Sequence, residues 1–336
     1  MVQSHTGTVE NPSTEVTSDY VIGVDMGGTN LRIALADTSG TILAKSHTST
    51  IGTHDPQILL NLIKEGVGQL LRQRSLPCTA LRAIAAGTPG VTDVSTGVVI
   101  ATSYLLGWRD VPFQSMLESA FGLPAAVDND VNLAALGEGW AGIARGVQDF
   151  VFLAIGTGIG AGIVLNNKLF HGMGWAAGEL GYMLVPGTSD KPIERDDPGA
   201  LESIAGGEGI KNQWLRLWDL EKTDLPQDVM ATQIFDAAVK GGDSLAEAVL
   251  QQTARTIAYA IYNTSLILSC PLFVLGGSVG LHPALCDGAQ TILDQRKAHA
   301  LPKIKRSMLG PDAQLVGAIR LALDTAAAKR EVLQKA

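Results

Sequence analysis

Short apolar runs alternate with small-residue turns at the start of the chain. Tyr20–Asp25 (YVIGVD), Leu31–Ala36 (LRIALA) and Thr41–Lys45 have the length and composition of strands, and the Gly-rich and Ser-Gly turns between them predict an antiparallel meander. From Pro56 to Arg74 the spacing changes. Ile58, Leu59, Leu62, Ile63, Val67, Leu70 and Leu71 recur at helical intervals. Ala83–Ala86 is a strand stopped by GTPG, Ala125–Asp128 is another, and Val131–Gly142 reads as a helix.

The layout then restarts. Phe150–Ile155 (FVFLAI), a loop GTGIG, Ala161–Leu165 (AGIVL) and a turn at Asn166–Asn167 repeat strand, Gly-rich turn, strand, turn, strand. Such a duplication predicts two similar α/β lobes facing one another across a cleft. Helices near Gly207–Trp218, Ala231–Lys240 and Leu245–Leu268 and a strand at Leu272–Leu275 complete the second lobe, and a last helix around Ala313–Ala328 packs back on the first. The expected division is a disordered tail over 1–18, a small lobe of 19–128 plus 313–336, and a large lobe of 129–312.

Bulk properties narrow the class. An apolar fraction of 46%, a charged fraction of 17% and 38 glycines describe a globular chain with many tight turns. The net charge of −8, with basic residues only in short groups such as Lys303, Lys305 and Arg306, argues against nucleic acid as a partner. That group reads as a solvated face. Three scattered cysteines, Cys78, Cys270 and Cys286, lack zinc spacing and fit a reducing cytoplasm. The uncharged span from Thr256 past Leu275 is interrupted by Asn263, Pro271 and Gly276–Gly277, which suits a buried helix and strand rather than a membrane span. The polar N-terminus has neither a signal-peptide pattern nor the length of a DNA-binding module.

Candidate chemistry lies where strands end. In VDMGGTN the first strand stops at Asp25, and Gly27, Gly28, Thr29 and Asn30 offer backbone N–H groups and a hydroxyl to a phosphate, with Asp25 placed to hold Mg²⁺ through water. A plain hairpin with glycines at positive φ has the same sequence. The loop AIGTGIGAG repeats the chemistry with Gly156, Thr157, Gly158 and Gly160, and it leads into a strand, unlike a dinucleotide fingerprint. A third pair, Gly276 and Gly277 in LGGSV, lets an adenosine approach the backbone or simply makes a turn. In VDNDVNLAALGE a strand delivers Asp128, Asn129 and Asp130 to the cleft as a helix begins. Asp130 is a candidate proton acceptor and Asn129 a hydrogen-bonding neighbour, the alternative being a helix cap.

Taken in order, these motifs resemble the sugar kinases of the ROK family, within the actin, hexokinase and heat-shock chaperone superfamily. GTPGVTD resembles the sugar-side loop, LLGW the tryptophan element after it, and LAIGTGIGAGIVLNNKLFHG the second phosphate motif. The resemblance implies a two-lobed actin-like ATPase (ribonuclease H-like) fold, ATP and Mg²⁺ as cofactors, a hexose substrate and a homodimer. It implies Asp130 as general base and a sugar site of Thr88, Gly90, Asn129, Asp130, Glu179 in GELGY and Glu202 in GALES. Glucose is the leading acceptor, at O6, with N-acetylhexosamines, mannose and fructose open. A sugar-sensing regulator is the rival of another class, and polyphosphate a minor alternative donor.

One departure is sharp. The family's usual zinc ligands are a histidine where this chain has Tyr182 and a cysteine-rich run where it has PGTSDKPIERDDPGALES, so no structural zinc is expected. Tyr182 then either touches the sugar or packs in the core. Asp190, Glu194, Asp196 and Asp197 read as a solvated acidic loop before a cation site. Phosphoryl transfer demands positioning more than basicity, so an aspartate near its usual pKa of about 4 suffices as base.

Overall fold

A computed structural model of the chain describes residues 19–102, 105, 107–188, 197–219, 223–296 and 301–335. The tail over 1–18 and most of the acidic loop, including Asp190, Glu194 and Asp196, lie outside the described residues.

The first lobe opens with β1 (Tyr20–Met26), β2 (Asn30–Asp37) and β3 (Ile42–Ser49), followed by α1 (Pro56–Gln73), whose start is fixed by Pro56 and by Asp55 Oδ1 accepting from the N–H groups of Gln57 and Ile58 at 2.8 and 3.0 Å. Next come β4 (Leu81–Thr88), a small meander of β5 (Val91–Asp93), β6 (Val98–Ala101) and β7 (Arg109–Val111), then α2 (Phe113–Phe121) and β8 (Ala125–Asn129), after which α3 (Asp130–Ala141) leads out of the lobe. The second lobe holds β9 (Phe150–Ile155), β10 (Ile159–Leu165), β11 (Lys168–Leu169), α4 (Glu202–Ala205), α5 (Gly207–Leu217), α6 (Ala231–Lys240) and α7 (Ser244–Leu268). It closes with β12 (Leu272–Gly276), α8 (Gly277–Gly280), α9 (Pro283–Asp294) and β13 (Lys303–Arg306), and α10 (Ala313–Lys335) follows.

The two main sheets have the same topology. Their strand orders are β3-β2-β1-β4-β8 and β11-β10-β9-β12-β13. In each, an antiparallel three-strand opening is extended by two parallel strands, so the duplication expected from the turn pattern exists in hydrogen-bonded register.

Alternation along the strands shows why both faces are covered. From β9, Val151, Leu153 and Ile155 join the core beneath α5, α6, α7 and α9, while Phe150 and Phe152 point the other way toward Ala134 and Ala135 of α3. From β1, Ile22, Val24 and Met26 face α1 and α2, and Val21 faces Leu315 and Ile319 of α10. Helices α3 and α10 therefore form a shared middle layer between the sheets. Their backbones nearly touch: a Cβ on Gly317 would lie 1.8 Å from Leu133 O, and one on Gly137 would lie 2.4 Å from Ala313 O. Buried Glu138 fastens the crossing by accepting from Ser307 Oγ and, at 2.9 Å, from Leu309 N–H.

Three elements differ from expectation. The Lys303–Arg306 group is an edge strand, with Ile304 buried and the basic side chains exposed, a common way to blunt a sheet edge. The β5–β7 meander and α2 lie in a stretch where no periodicity pointed to them. Tyr182 is 46% exposed, so it does not pack in the core. Among the described residues no helix is long and apolar enough to cross a membrane.

Candidate active site

Parallel register gathers the site. Asp25 of β1 pairs with Gly87 of β4, Gly87 with Asp128 of β8, and Thr88 with Asn129, so three neighbouring strands end side by side. Helix α3 starts directly on this edge. Asn129 is its cap: Oδ1 accepts from Val131 and Asn132 N–H at 2.8 and 3.1 Å, and Nδ2 donates to Gly90 O at 2.9 Å. The capping alternative considered for Asp130 thus belongs to its neighbour. Asp130 is left in the first turn, half-buried, with Oδ1 accepting from Val131 N–H at 2.9 Å.

Burial, then the charges of Asp25 and Glu179, raise the Asp130 pKa from 3.8 to about 7, against the lowering effect of the adjacent N–H groups. A carboxylate of ordinary acidity was expected. The structure instead gives a group that changes state near neutral pH, the range in which a general base works best.

The two Gly-Thr loops are built alike. Gly27 N–H closes the first by donating to Asn30 O at 2.8 Å, and Gly156 N–H closes the second by donating to Gly158 O at 2.9 Å. Gly27, Gly28, Gly156, Gly158 and Gly160 all keep ordinary φ, so positive backbone angles do not explain them. A Cβ on Gly156 would meet nothing within 4 Å, and one on Gly27 only Asn30 O at 3.6 Å. The missing side chains leave open space in front of the backbone. Asn30 is turned aside, bonded to Thr29 Oγ1 and His47 Nε2. Gly207 N–H at the start of α5 donates to Gly156 O at 2.7 Å, and Gly276 and Gly277 carry β12 into α8 against Ile155.

Asp25 is buried and held by Arg32, whose Nε and Nη2 lie 2.7 and 2.5 Å from Oδ2. Burial raises its pKa and Arg32 opposes the shift. Among the described residues Oδ1 accepts no hydrogen bond, so this carboxylate fits a metal reached through water. Among the same residues, no group of three or more His, Cys, Asp and Glu is placed to hold a metal ion.

The other expected residues divide. A cavity of about 30 Å³ is lined by Gly90, Asn129, Gly160, Trp175, Gly178 and Glu179, together with Val131, Asn132 and two alanines. Gly178, at φ 97, brings its backbone so close that a Cβ would stand 1.9 Å from Ala161 O. Glu179 has its pKa raised by desolvation and by the charge of Glu202. Glu202 faces inward, where Oε2 accepts from Ile159 N–H at 2.7 Å. Thr88 is fully buried beside Asn129 and bonded to Thr92 at 3.2 Å, while Tyr182 stands away from the cavity wall.

Three participants had no assigned role in the sequence. Arg32 neutralises Asp25 across the first hairpin. His171 Nε2 lies 2.8 Å from Asp128 Oδ2, joining the loop after β11 to β8; this bond raises the His171 pKa despite partial burial. Trp175 meets His171 edge-on at 5.9 Å and lines the cavity. An indole amid glycines in HGMGWAAGE was the one available signal.

Comparison with known proteins shows the family. The model of the ROK family matches residues 21–325. The chain belongs to the ROK family. It is 31% identical to a glucokinase from Halalkalibacterium halodurans over 319 residues, covering 89% of this chain and 93% of that protein. The structure of a ROK family glucokinase from Streptomyces griseus in complex with glucose and AMPPNP superposes with a TM-score of 0.75 at 26% identity, covering 91% of this chain and 99% of that one. A xylose repressor from Caldicellulosiruptor bescii is 26% identical over 319 residues, 90% of this chain and 78% of the repressor, so ROK relatives include regulators as well as enzymes. The fold is therefore the α/β, two-lobed actin-like fold of ROK sugar kinases.

Proposed function

We propose that the chain is an ATP-dependent hexose kinase, with glucose as first substrate and the O6 hydroxyl as acceptor. The observation that carries this reading is the place of Asp130: a carboxylate at the start of α3, on the edge where β1, β4 and β8 end side by side, facing the charges of Asp25 and Glu179 beside the Gly-Thr loops. The backbone of Gly27–Asn30 and Gly156–Gly158 cradles the phosphates, and Gly276–Gly277 admits the adenosine. Asp25 would hold a magnesium ion through water, the ion supplying charge neutralisation on the phosphates. Glu179 and Gly90 contact the sugar hydroxyls, while Asn129 and Glu202, already bonded to backbone, fix the shape of the pocket around them.

Asp130 then orients the primary hydroxyl and accepts its proton as the phosphoryl group arrives, a reaction governed mainly by positioning. Approach of the lobes, which already meet through Asp128 and His171, excludes water. We place the lobe boundaries between Asp128 and Asn129 and just before Ala313, and expect a cytoplasmic homodimer.

ADP release measured over a panel of hexoses, with a sugar-free control, tests the reading. Sugar-dependent turnover that Asp130→Ala abolishes supports it. Hexose binding without turnover would move the chain to the sugar-sensing regulators, and neither binding nor turnover would remove the sugar site altogether.

A further inference from the structure

Six residues other than glycine have positive φ among those described: Ser75, Asp110, Asn166, Asn167, Trp175 and Ser269. Five are small polar types, for which a left-handed turn residue is ordinary. Trp175, at φ 64, is not. It lies in a turn where Gly172, Gly174 and Gly178 are also left-handed, so glycine would sit there without strain. The chain carries its bulkiest kind of side chain at this point instead.

The indole is not a core residue. It is half-buried in the wall of the cavity, where Val131 is the largest other apolar side chain, Asn129, Asn132 and Glu179 are polar, and the remaining companions are glycine or alanine. Two contacts limit its movement. Its ring abuts His171, which is tied to Asp128, and the turn Met173–Trp175 packs against β5 of the other lobe. A large ring on a strained backbone, set into a wall with no other aromatic side chain, is where strain and function coincide.

We propose that Trp175 is the specificity-determining residue of the sugar pocket: its ring occupies the space a substituent on the hexose would need, restricting the site to unsubstituted hexoses. This rests on the sugar-site reading above. The ring rejects N-acetylhexosamines and hexosides by collision with a wall that cannot retreat, while its apolar face suits the C–H surface of a bare pyranose.

The test compares the natural chain with Trp175→Gly and Trp175→Phe. kcat/KM is measured for glucose, mannose, N-acetylglucosamine, N-acetylmannosamine and phenyl β-glucoside, and binding of each by calorimetry without ATP. The natural chain should prefer its best bare hexose over substituted sugars by about a hundredfold; Trp175→Gly should cut that ratio at least about tenfold, and Trp175→Phe should hold it within about threefold. Glycine relieves the backbone at 175, so the variant should fold, with circular dichroism as the check. Unchanged ratios in folded Trp175→Gly, or equal use of N-acetylhexosamine and glucose by the natural chain, would overturn the inference. Sugar binding without turnover would sink the kinase reading alone, because the binding ratios still report on Trp175. No binding and no turnover would sink both.

Discussion

Replacing Asp130 by asparagine should remove activity and make the protein more stable, with a pH signature that identifies the cause. The aspartate is lifted from 3.8 to about 7 in the folded chain. A folded-state pKa above the unfolded one means that folding takes up a proton between these values, so the group costs stability as pH rises from about 4 to about 7 and the cost is constant above. At about 1.4 kcal/mol per unit the ceiling is about 4 kcal/mol. Asp130 is half-buried and keeps some water, and its charge gains from the N-terminus of α3, which reduces the net cost to about 1–3 kcal/mol. Asparagine keeps an oxygen for Val131 N–H and removes the charge facing Asp25 and Glu179. In thermal melts at pH 8, Asp130→Asn should unfold about 2–6 °C above the natural chain, and the gap should shrink steadily toward pH 4. Sugar-dependent ADP release should fall at least about a thousandfold at every pH. A variant that is inactive but no more stable at pH 8 than at pH 4, relative to the natural chain, would refute the strained-carboxylate argument; one that keeps its turnover would refute the base assignment.

Other expectations follow from the same geometry. Glu179→Gln removes a charge that raises the Asp130 pKa, so the apparent pKa of kcat/KM against pH should fall below that of the natural enzyme while KM for the hexose rises; an unmoved profile would place Glu179 outside the site. His171 has a raised pKa, so its pairing with Asp128 contributes stability that is complete below about pH 6.5 and lost as pH rises through the folded value. His171→Gln keeps a donor to Asp128 and should cost about 1–3 kcal/mol at pH 6, with a smaller difference at pH 9, in chemical denaturation. Gly317→Ala forces a Cβ to within 1.8 Å of Leu133 O, so α10 must move off α3. The expected loss is about 1–3 kcal/mol, and a denaturation midpoint equal to that of the natural chain would show that the crossing can yield freely.

Period and turn chemistry were enough to find what is local. The two openings of strand, Gly-rich turn, strand, turn, strand are hairpins whose register is set within about twenty residues, and they exist as read. The strand-to-helix junction at Asn129–Asp130 was legible for the same reason, because Asp and Asn before an apolar helix mark where backbone N–H groups need acceptors. What the sequence could not divide was the work within that pair: Asn129 caps because its backbone is extended while Asp130 is already helical. The meander β5–β7 was invisible because strands of three or four residues hold too few side chains to show a period. Basic Lys303–Arg306 looked like surface and is surface, but only pairing with β12 makes it a strand.

Chain pattern therefore determined the elements of the two duplicated openings, the longer helices and the order of the motifs, since these depend on neighbours a few residues apart. The tertiary structure decided the electrostatics and the shape of the site, which depend on groups brought together from distant segments. It set His171 on Asp128, and it set Asp130 between Asp25 and Glu179, which with burial moved Asp130 from ordinary acidity to about 7. It also turned Tyr182 outward and Trp175 into the cavity wall, because the path of a left-handed turn, not the residue type, chooses which aromatic faces the cleft.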